Sequence, residues 1–200
     1  LALFNAHYDS YCLMPFHVYD GVTGRLITTV LRPGKTPTDA EIIALLKRIV
    51  KRIRARFPEV PLIFRADSHH TKTAVLDWLE RHGVHYVLGV QVNALLNREV
   101  QPLLARASAT HRETWKPFRA FHSFQYGAES WSRPRRVVAR VEATAMGTDA
   151  RFVVSDLDAV GAKVLYETLY CARGCAELMI KEHKVFLKSS RTSLDNSRKA

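Results

Sequence analysis

Cysteine is scarce in this chain: Cys12, Cys171 and Cys175 are the full complement among 200 residues. An odd, sparse set without a C-x-x-C pair argues against a disulfide framework and against a structural zinc site. Cys171 and Cys175 stand one helical turn apart, a spacing that suits either a metal ion or two small helix residues. Long apolar runs are missing too. No stretch approaches the roughly 18 apolar residues of a membrane span, although the apolar share is an ordinary 47%. The start, LALFNAHYDS, lacks the basic n-region and continuous apolar h-region of a secretory signal. There are no internal repeats and no low-complexity tract. An initiator Met is lacking and SRKA closes the sequence without a clear end signal, so the chain reads as an internal piece of a longer protein.

Acidic residues are the other shortage. Nineteen Asp and Glu face thirty Lys and Arg, a net charge of +11. Such an excess favours a polyanionic partner, nucleic acid first and an anionic membrane second. The surplus sits in three segments, 38–57, 111–151 and 161–200, so it belongs to the folded body rather than to a basic tail.

The patterning predicts a mixed α/β fold. Residues 12–19 and 25–31 read as strands joined by a hairpin turn at Asp20, Gly21 and Gly24. Thr38-x-x-Glu41 is a capping-box signature opening a helix to about Phe57. Ile42, Leu45, Leu46, Ile49, Val50 and Ile53 form its apolar stripe. Lys47, Arg48, Lys51, Arg52, Arg54 and Arg56 share the other face, which suits either solvent or phosphates. Residues 60–66 read as a buried parallel strand, 71–82 as a helix closed by Gly83, 84–90 as a strand and 94–108 as a helix. From 115 to 155 the pattern turns to strands, as a continuation of the sheet or an insertion. A helix at about 161–187 follows. The β-β-α-β-α-β order gives a mixed sheet flanked by helices, in which ligands sit at strand carboxyl ends.

Two places carry chemistry. Asp67 ends the 60–66 strand, where an aspartate either ligates a metal ion or caps the next helix. In the last helix, Tyr170, Arg173, Glu177 and Lys184 project at roughly 0°, −60°, −20° and −40° for about 100° per residue, and Lys181 at roughly +20°. One face then holds an aromatic hydroxyl, cations and a carboxylate, suited to a metal ion and phosphates together. An ordinary basic helix with a Glu177–Lys181 pair explains the same residues. Two-metal phosphoryl transfer needs only two or three carboxylates around hard ions that keep several waters. His69 and His70 follow Asp67, but adjacent histidines point apart and a shared ion is not expected. Trp115 and Trp131 lie among arginines, where each either stacks on an exposed base or packs against the sheet.

Tyr170-x2-Arg173-x3-Glu177-x6-Lys184 resembles the signature of bacterial insertion-sequence DDE transposases of the Tyr-Arg-Glu-Lys type. YCARGCAELMIKEHK, RADSHH, FNAHYDSYCLMPFHVYDG, WSRPRRVVARVEA and RFVVSDL resemble one branch of that family, in the same order and over nearly the whole chain. The resemblance implies an α/β, ribonuclease H-like fold with a β-rich insertion before the last catalytic helix. Its parts would be 1–92 for the first part of the core, 93–158 for a helix and the insertion, and 159–200 for the catalytic helix. It implies Asp67 and Glu177 as catalytic acids and ligands of Mg²⁺ or Mn²⁺. Tyr170, Arg173 and Lys184 would contact the transposon-end phosphates, Lys181 joins them as a DNA-binding candidate through the helical projection above, and Trp131 is a candidate to hold a flipped base. Partners would be transposon ends, target DNA and a second copy in a homodimer or higher synaptic complex, in the bacterial cytoplasm at the nucleoid and not in a membrane.

Three features depart from the family pattern. Its first aspartate lies on a strand before FN-x-x-YD that this chain lacks, and Asp9 and Asp20 are poor substitutes, so one metal ligand is expected to be missing from this piece. His69-His70 replaces the usual Gly-Phe, and Cys175 stands where an acid is common. Three readings stay open: a metal-dependent transposase, a catalytically dead or domesticated DNA-binding remnant, and a ribonuclease H-like nuclease that cuts without strand transfer.

Overall fold

The computed structural model describes residues 2–5 and 9–186, with backbone alone for Asn5, Ser10, His183 and Lys184. The chain forms two units, Leu1–Lys35 with Ala172–Ala200, and Thr36–Cys171.

Among its described residues the first unit holds short antiparallel strand pairs and one α-helix. β1 (Leu3–Asn5) pairs with β2 (Ser10–Cys12), and β3 (Phe16–Tyr19) with β4 (Leu26–Val30). The β3–β4 turn is set by Asp20, which accepts hydrogen bonds from the Val22 backbone N–H at 3.0 Å and the Thr23 hydroxyl at 2.6 Å. This places Asp20 in the hairpin the sequence predicts. The expected single strand over 12–19 is split, with Leu13–Pro15 outside both flanking strands. Helix α4 (Gly174–Phe186) packs on β3.

The second unit contains the main core. α1 (Asp39–Arg56) opens on the predicted capping box: Thr38 N–H donates to Glu41 Oε2 at 2.7 Å, and Glu41 N–H donates to Thr38 Oγ1 at 3.3 Å. Ile42 and Leu46 are its buried residues, and it lies against α2 (Thr73–Arg81). Gly83, just past α2, has φ +60°, a left-handed conformation that costs glycine little.

Five strands form one sheet in the order β5-β6-β9-β8-β7: β5 (Leu62–Ala66), β6 (Val84–Val90), β7 (Phe118–Tyr126), β8 (Arg135–Thr144) and β9 (Gly147–Ser155). β5 and β6 are parallel, and β6–β9, β9–β8 and β8–β7 are antiparallel. The 115–155 strands therefore extend the sheet begun by β5 and β6. A mixed sheet flanked by helices is compatible with a ribonuclease H-like fold. β5 is parallel as expected but is not buried. It is an edge strand of the sheet among the described residues, and Ile63 remains 43% exposed.

α3 (Ala94–Thr114) covers β7, β8 and β9. It runs beyond the predicted 108, capped by Asn93, whose side chain accepts from Leu96 N–H at 2.9 Å. The predicted continuous α-helix over 161–187 is not present. Val164–Tyr170 is a π-helical turn, closed by the Cys171 N–H bonding the Tyr166 carbonyl five residues back. Cys171–Arg173 is a 3-10 turn, and only then does α4 begin. The consecutive residues Leu165 and Tyr166 are both buried with Val87, Val138 and Val153, with Leu169 and Tyr170 packed beside them. Seating neighbouring residues and the next turn on one cluster suits a wider turn than the α-helix.

Candidate functional site at the carboxyl end of β5

Asp67 leaves β5 at its carboxyl end and caps the 3-10 turn Ser68–His70. Its Oδ1 accepts from the His69 backbone N–H at 3.0 Å and from His70 Nδ1 at 2.9 Å. The His70 ring meets Phe64 edge to face, with centroids 6.0 Å apart. His69 Nδ1 stands 3.5 Å from the same Oδ1, mostly in solvent. Together these donors, His70 first, hold the Asp67 carboxyl at about 2, against the opposing effect of burial. At neutral pH it is a carboxylate with one oxygen engaged by the turn. The capping and ligand roles read from the sequence are therefore compatible at this residue.

The adjacent strand brings Tyr170 to the same place. Gly89 lies on β6, and a Cβ built there would stand 2.6 Å from the Tyr170 hydroxyl, 3.1 Å from Ser68 N and 3.4 Å from the Asp67 carbonyl carbon. Glycine suits this position because a side-chain hydroxyl and a neighbouring loop converge on its backbone. Thr71 Oγ1 donates to the Gly89 carbonyl, pinning the loop after Asp67 to β6. Arg65 Nη1 donates to the Leu169 carbonyl at 3.0 Å and anchors the π turn that carries Tyr170. The second unit thus assembles Asp67 and Tyr170, residues that are 103 positions apart, around Gly89.

The first unit carries the remaining motif residues. Arg173 Nη1 donates to Glu177 Oε1 at 2.8 Å, with the two side chains 27% and 60% exposed. Glu177 pairs with the residue four before it rather than with Lys181. The 3-10 and π turns also change the number of residues per turn, so the uniform 100° projection of Tyr170 onto the face of Glu177 does not apply.

The chain matches the family described as transposase DDE domain group 1 over residues 1–199. It belongs to that family. No curated protein matches it. Membership points to DNA transposition, to a DNA substrate and, for the family generally, to divalent metal ions.

In this DDE domain, Asp67 fits a hard cation: it is ionised, supplies oxygen, and is 46% exposed on its side chain. Among the described residues no group of three or more His, Cys, Asp or Glu is arranged to hold an ion. The fit is that of one carboxylate ligand. Lys181 is exposed on α4, and the Lys184 side chain lies outside the described residues. Trp131 sits in the loop between β7 and β8, edge-on to Tyr126 with centroids 5.5 Å apart and 5.6 Å from the Arg135 guanidinium carbon. Trp115 ends α3 at φ +57° and is 85% exposed. No helix among the described residues is long and apolar enough to cross a membrane.

Sequence reasoning missed His70 and Gly89 as parts of this site. The signal for Gly89 was a lone glycine inside a strand pattern, which marks close backbone approach. The signal for His70 was its place three residues after Asp67, within reach of a capping carboxylate.

Proposed function

We propose that this domain performs the strand cleavage and strand transfer of DNA transposition, with Asp67 and Glu177 as carboxylate ligands of Mg²⁺ or Mn²⁺. The observation that carries the reading is Asp67: an ionised carboxylate at a strand carboxyl end, with Oδ1 engaged by its own turn and the Tyr170 hydroxyl beside that turn. Glu177 rests on its spacing from Tyr170, Arg173 and Lys184 within a matched family. On this reading β7–β9 are the β-rich addition to a ribonuclease H-like core.

Both reactions are in-line displacements at phosphorus. In cleavage, a water oxygen bonds to phosphorus at the element's end, the bond to the bridging 3′-oxygen breaks, and the water gives up a proton. The freed 3′-hydroxyl then bonds to a target phosphorus, loses its proton and displaces that strand's own 3′-oxygen. A bound divalent ion supplies Lewis-acid stabilisation of the charge on the attacking and leaving oxygens. Asp67 keeps its charge at any physiological pH, and the His69 amide and His70 imidazole fix its rotamer. Arg173 and Glu177 neutralise each other across an i,i+4 pair whose carboxylate is exposed and whose guanidinium is half-buried. Tyr170, Lys181 and Lys184 complete the phosphate contacts, in a homodimer or higher synaptic complex.

The test uses the full-length gene product and an element-end duplex. Asp67→Ala or Glu177→Ala is expected to reduce strand cleavage by about 10³-fold, several kcal/mol of transition-state stabilisation, while duplex binding survives. Wild-type cleavage by either variant removes that residue from the mechanism. Hydrolysis without joined products would indicate a nuclease rather than a transposase.

A further inference from the structure

Most of the described arginines are engaged within the molecule. Arg65, Arg119, Arg133, Arg135, Arg136 and Arg140 each bond a carbonyl, a hydroxyl or a carboxylate. On α1, Arg54 spends its guanidinium on the carbonyls of Pro58, Val60 and Gly83. Lys47, Arg48, Lys51, Arg52 and Arg56 differ. All five are exposed, and none makes a side-chain hydrogen bond or an ion pair among the described residues. They span about 13 Å of helix at 1.5 Å per residue. The two acids of this helix, Asp39 and Glu41, are both in its first turn, and both are engaged: Asp39 with Lys72 and Glu41 in the capping box. At about 100° per residue Lys47, Arg48 and Lys51 lie opposite the buried Ile42 and Leu46, Arg52 lies on the flank, and Arg56 stands roughly 40° from Ile42 at the end of the helix.

The two ends of α1 fix its direction. Its first residue, Asp39, pairs with Lys72 at 3.2 Å, in the segment that follows Asp67 and its turn. Near its last turn, Arg54 Nη2 bonds the carbonyl of Gly83 at 3.2 Å, just before β6 begins. The cation row therefore leads away from the Asp67 end of this unit, along its length.

We propose that this face of α1 docks the phosphate backbone of duplex DNA without regard to sequence. The inference rests on the reading of this domain as acting on DNA, and adds the surface along which the duplex is held. The chemistry is charge complementarity at a polyanion carrying one negative charge per about 1.7 Å of axis. Unpaired, solvated lysines and arginines on a rigid helix release counterions when they meet it and lose no internal contact in doing so.

The experiment compares three forms of the chain by anisotropy of a labelled duplex of arbitrary sequence, between about 50 and 200 mM salt. They are the wild type, Lys47→Ala/Lys51→Ala/Arg52→Ala, and a control of equal charge loss on exposed cations elsewhere, Arg98→Ala/Arg112→Ala/Lys116→Ala. Alanine on an exposed helix face preserves the helix, and circular dichroism verifies it. The α1 variant is expected to show a slope of log K against log salt shallower by about 2 to 3, near 0.9 per lost contact. Its affinity at about 100 mM salt should fall roughly tenfold or more, with the control close to wild type. Equal losses in both variants, or an unchanged slope in the α1 variant, overturn this surface while leaving the DNA reading intact. A wild type that binds no duplex overturns that reading and this surface with it.

Discussion

Arg135 is the side chain whose placement asks most of its neighbours. It begins β8 and is 1% exposed, with Nη2 at 2.6 Å from Asp77 Oδ1 and Nε at 2.8 Å from Glu80 Oε1. Both carboxylates come from α2, so one buried guanidinium ties helix to sheet. The Ser132 hydroxyl, followed by Arg135, lowers the Asp77 carboxyl from its ordinary range. Burial pushes Glu80 up, but Arg135, the Tyr86 hydroxyl and Arg133 together outweigh it and leave it lowered. Groups with depressed native values stabilise the fold above their unfolded values, about 4 to 4.5, and lose that contribution as pH falls through the lowered native ones. Arg135→Met takes the shared cation from two partly buried acids that keep Ser132, Tyr86 and Arg133, at a cost of about 3 kcal/mol, the low end for breaking a buried pair. The melting temperature should drop by about 10 °C, at about 2–4 °C per kcal/mol for a chain of this size, and its fall between pH 5 and pH 2 should be shallower than in the wild type. A melt at neutral pH within a degree or two of wild type would show that the bridge is not structural. None of this network was legible in the sequence, because Asp77 and Arg135 are 58 residues apart and meet only through the sheet. Asp67 was legible, since strand-end position and chemistry coincide at one residue.

At the scale of elements, local signals were read well and periodic extrapolation was not. Thr38 and Glu41 announce α1 because a capping box is a four-residue code, and 84–90 reads as a strand because its apolar run is short and bounded by Gly83. The π turn escaped because a 3.6-residue period was assumed through Val164–Tyr170, whereas packing against the sheet selected a wider turn. That turn meets β6 at Gly89, which makes this glycine the test of the junction. A Cβ in Gly89→Ala would press on the Tyr170 hydroxyl at 2.6 Å and on Ser68 N at 3.1 Å. The hydroxyl is the far end of a side chain and moves, whereas the backbone nitrogen of the Asp67 turn has less room. The expected cost is about 1–3 kcal/mol of overpacking. Removing the hydroxyl in Gly89→Ala/Tyr170→Phe should recover part of it, as a double-mutant cycle on thermal melts reads directly. Strict additivity of the two changes would mean that Tyr170 does not touch Gly89.

For the whole molecule, the order of elements was legible and their pairing was not. The alternation of strands and helices announced a mixed sheet, and the family match over residues 1–199 agrees with the family resemblance read over nearly the whole chain. That β9 returns to lie beside β6, so that the late strands extend the early sheet, is a long-range choice made by burial. Val87, Leu88, Val138, Val153 and Val154 are all fully buried, and the apolar patterns of their strands do not name their neighbours. The largest core therefore lies within Thr36–Cys171, which includes Asp67 and Tyr170 but not Arg173 or Glu177. A single domain of this size with one five-stranded sheet and its own buried core is expected to unfold cooperatively. Expressed alone, Thr36–Cys171 should give one sigmoidal thermal transition by circular dichroism and retain duplex binding through α1. It should nevertheless release no cleaved strand under conditions in which the full-length protein does, because it lacks the proposed second carboxylate. Cleavage by this fragment would remove Glu177 from the chemistry. A gradual, featureless melt would show that residues outside Thr36–Cys171 are needed to complete its core.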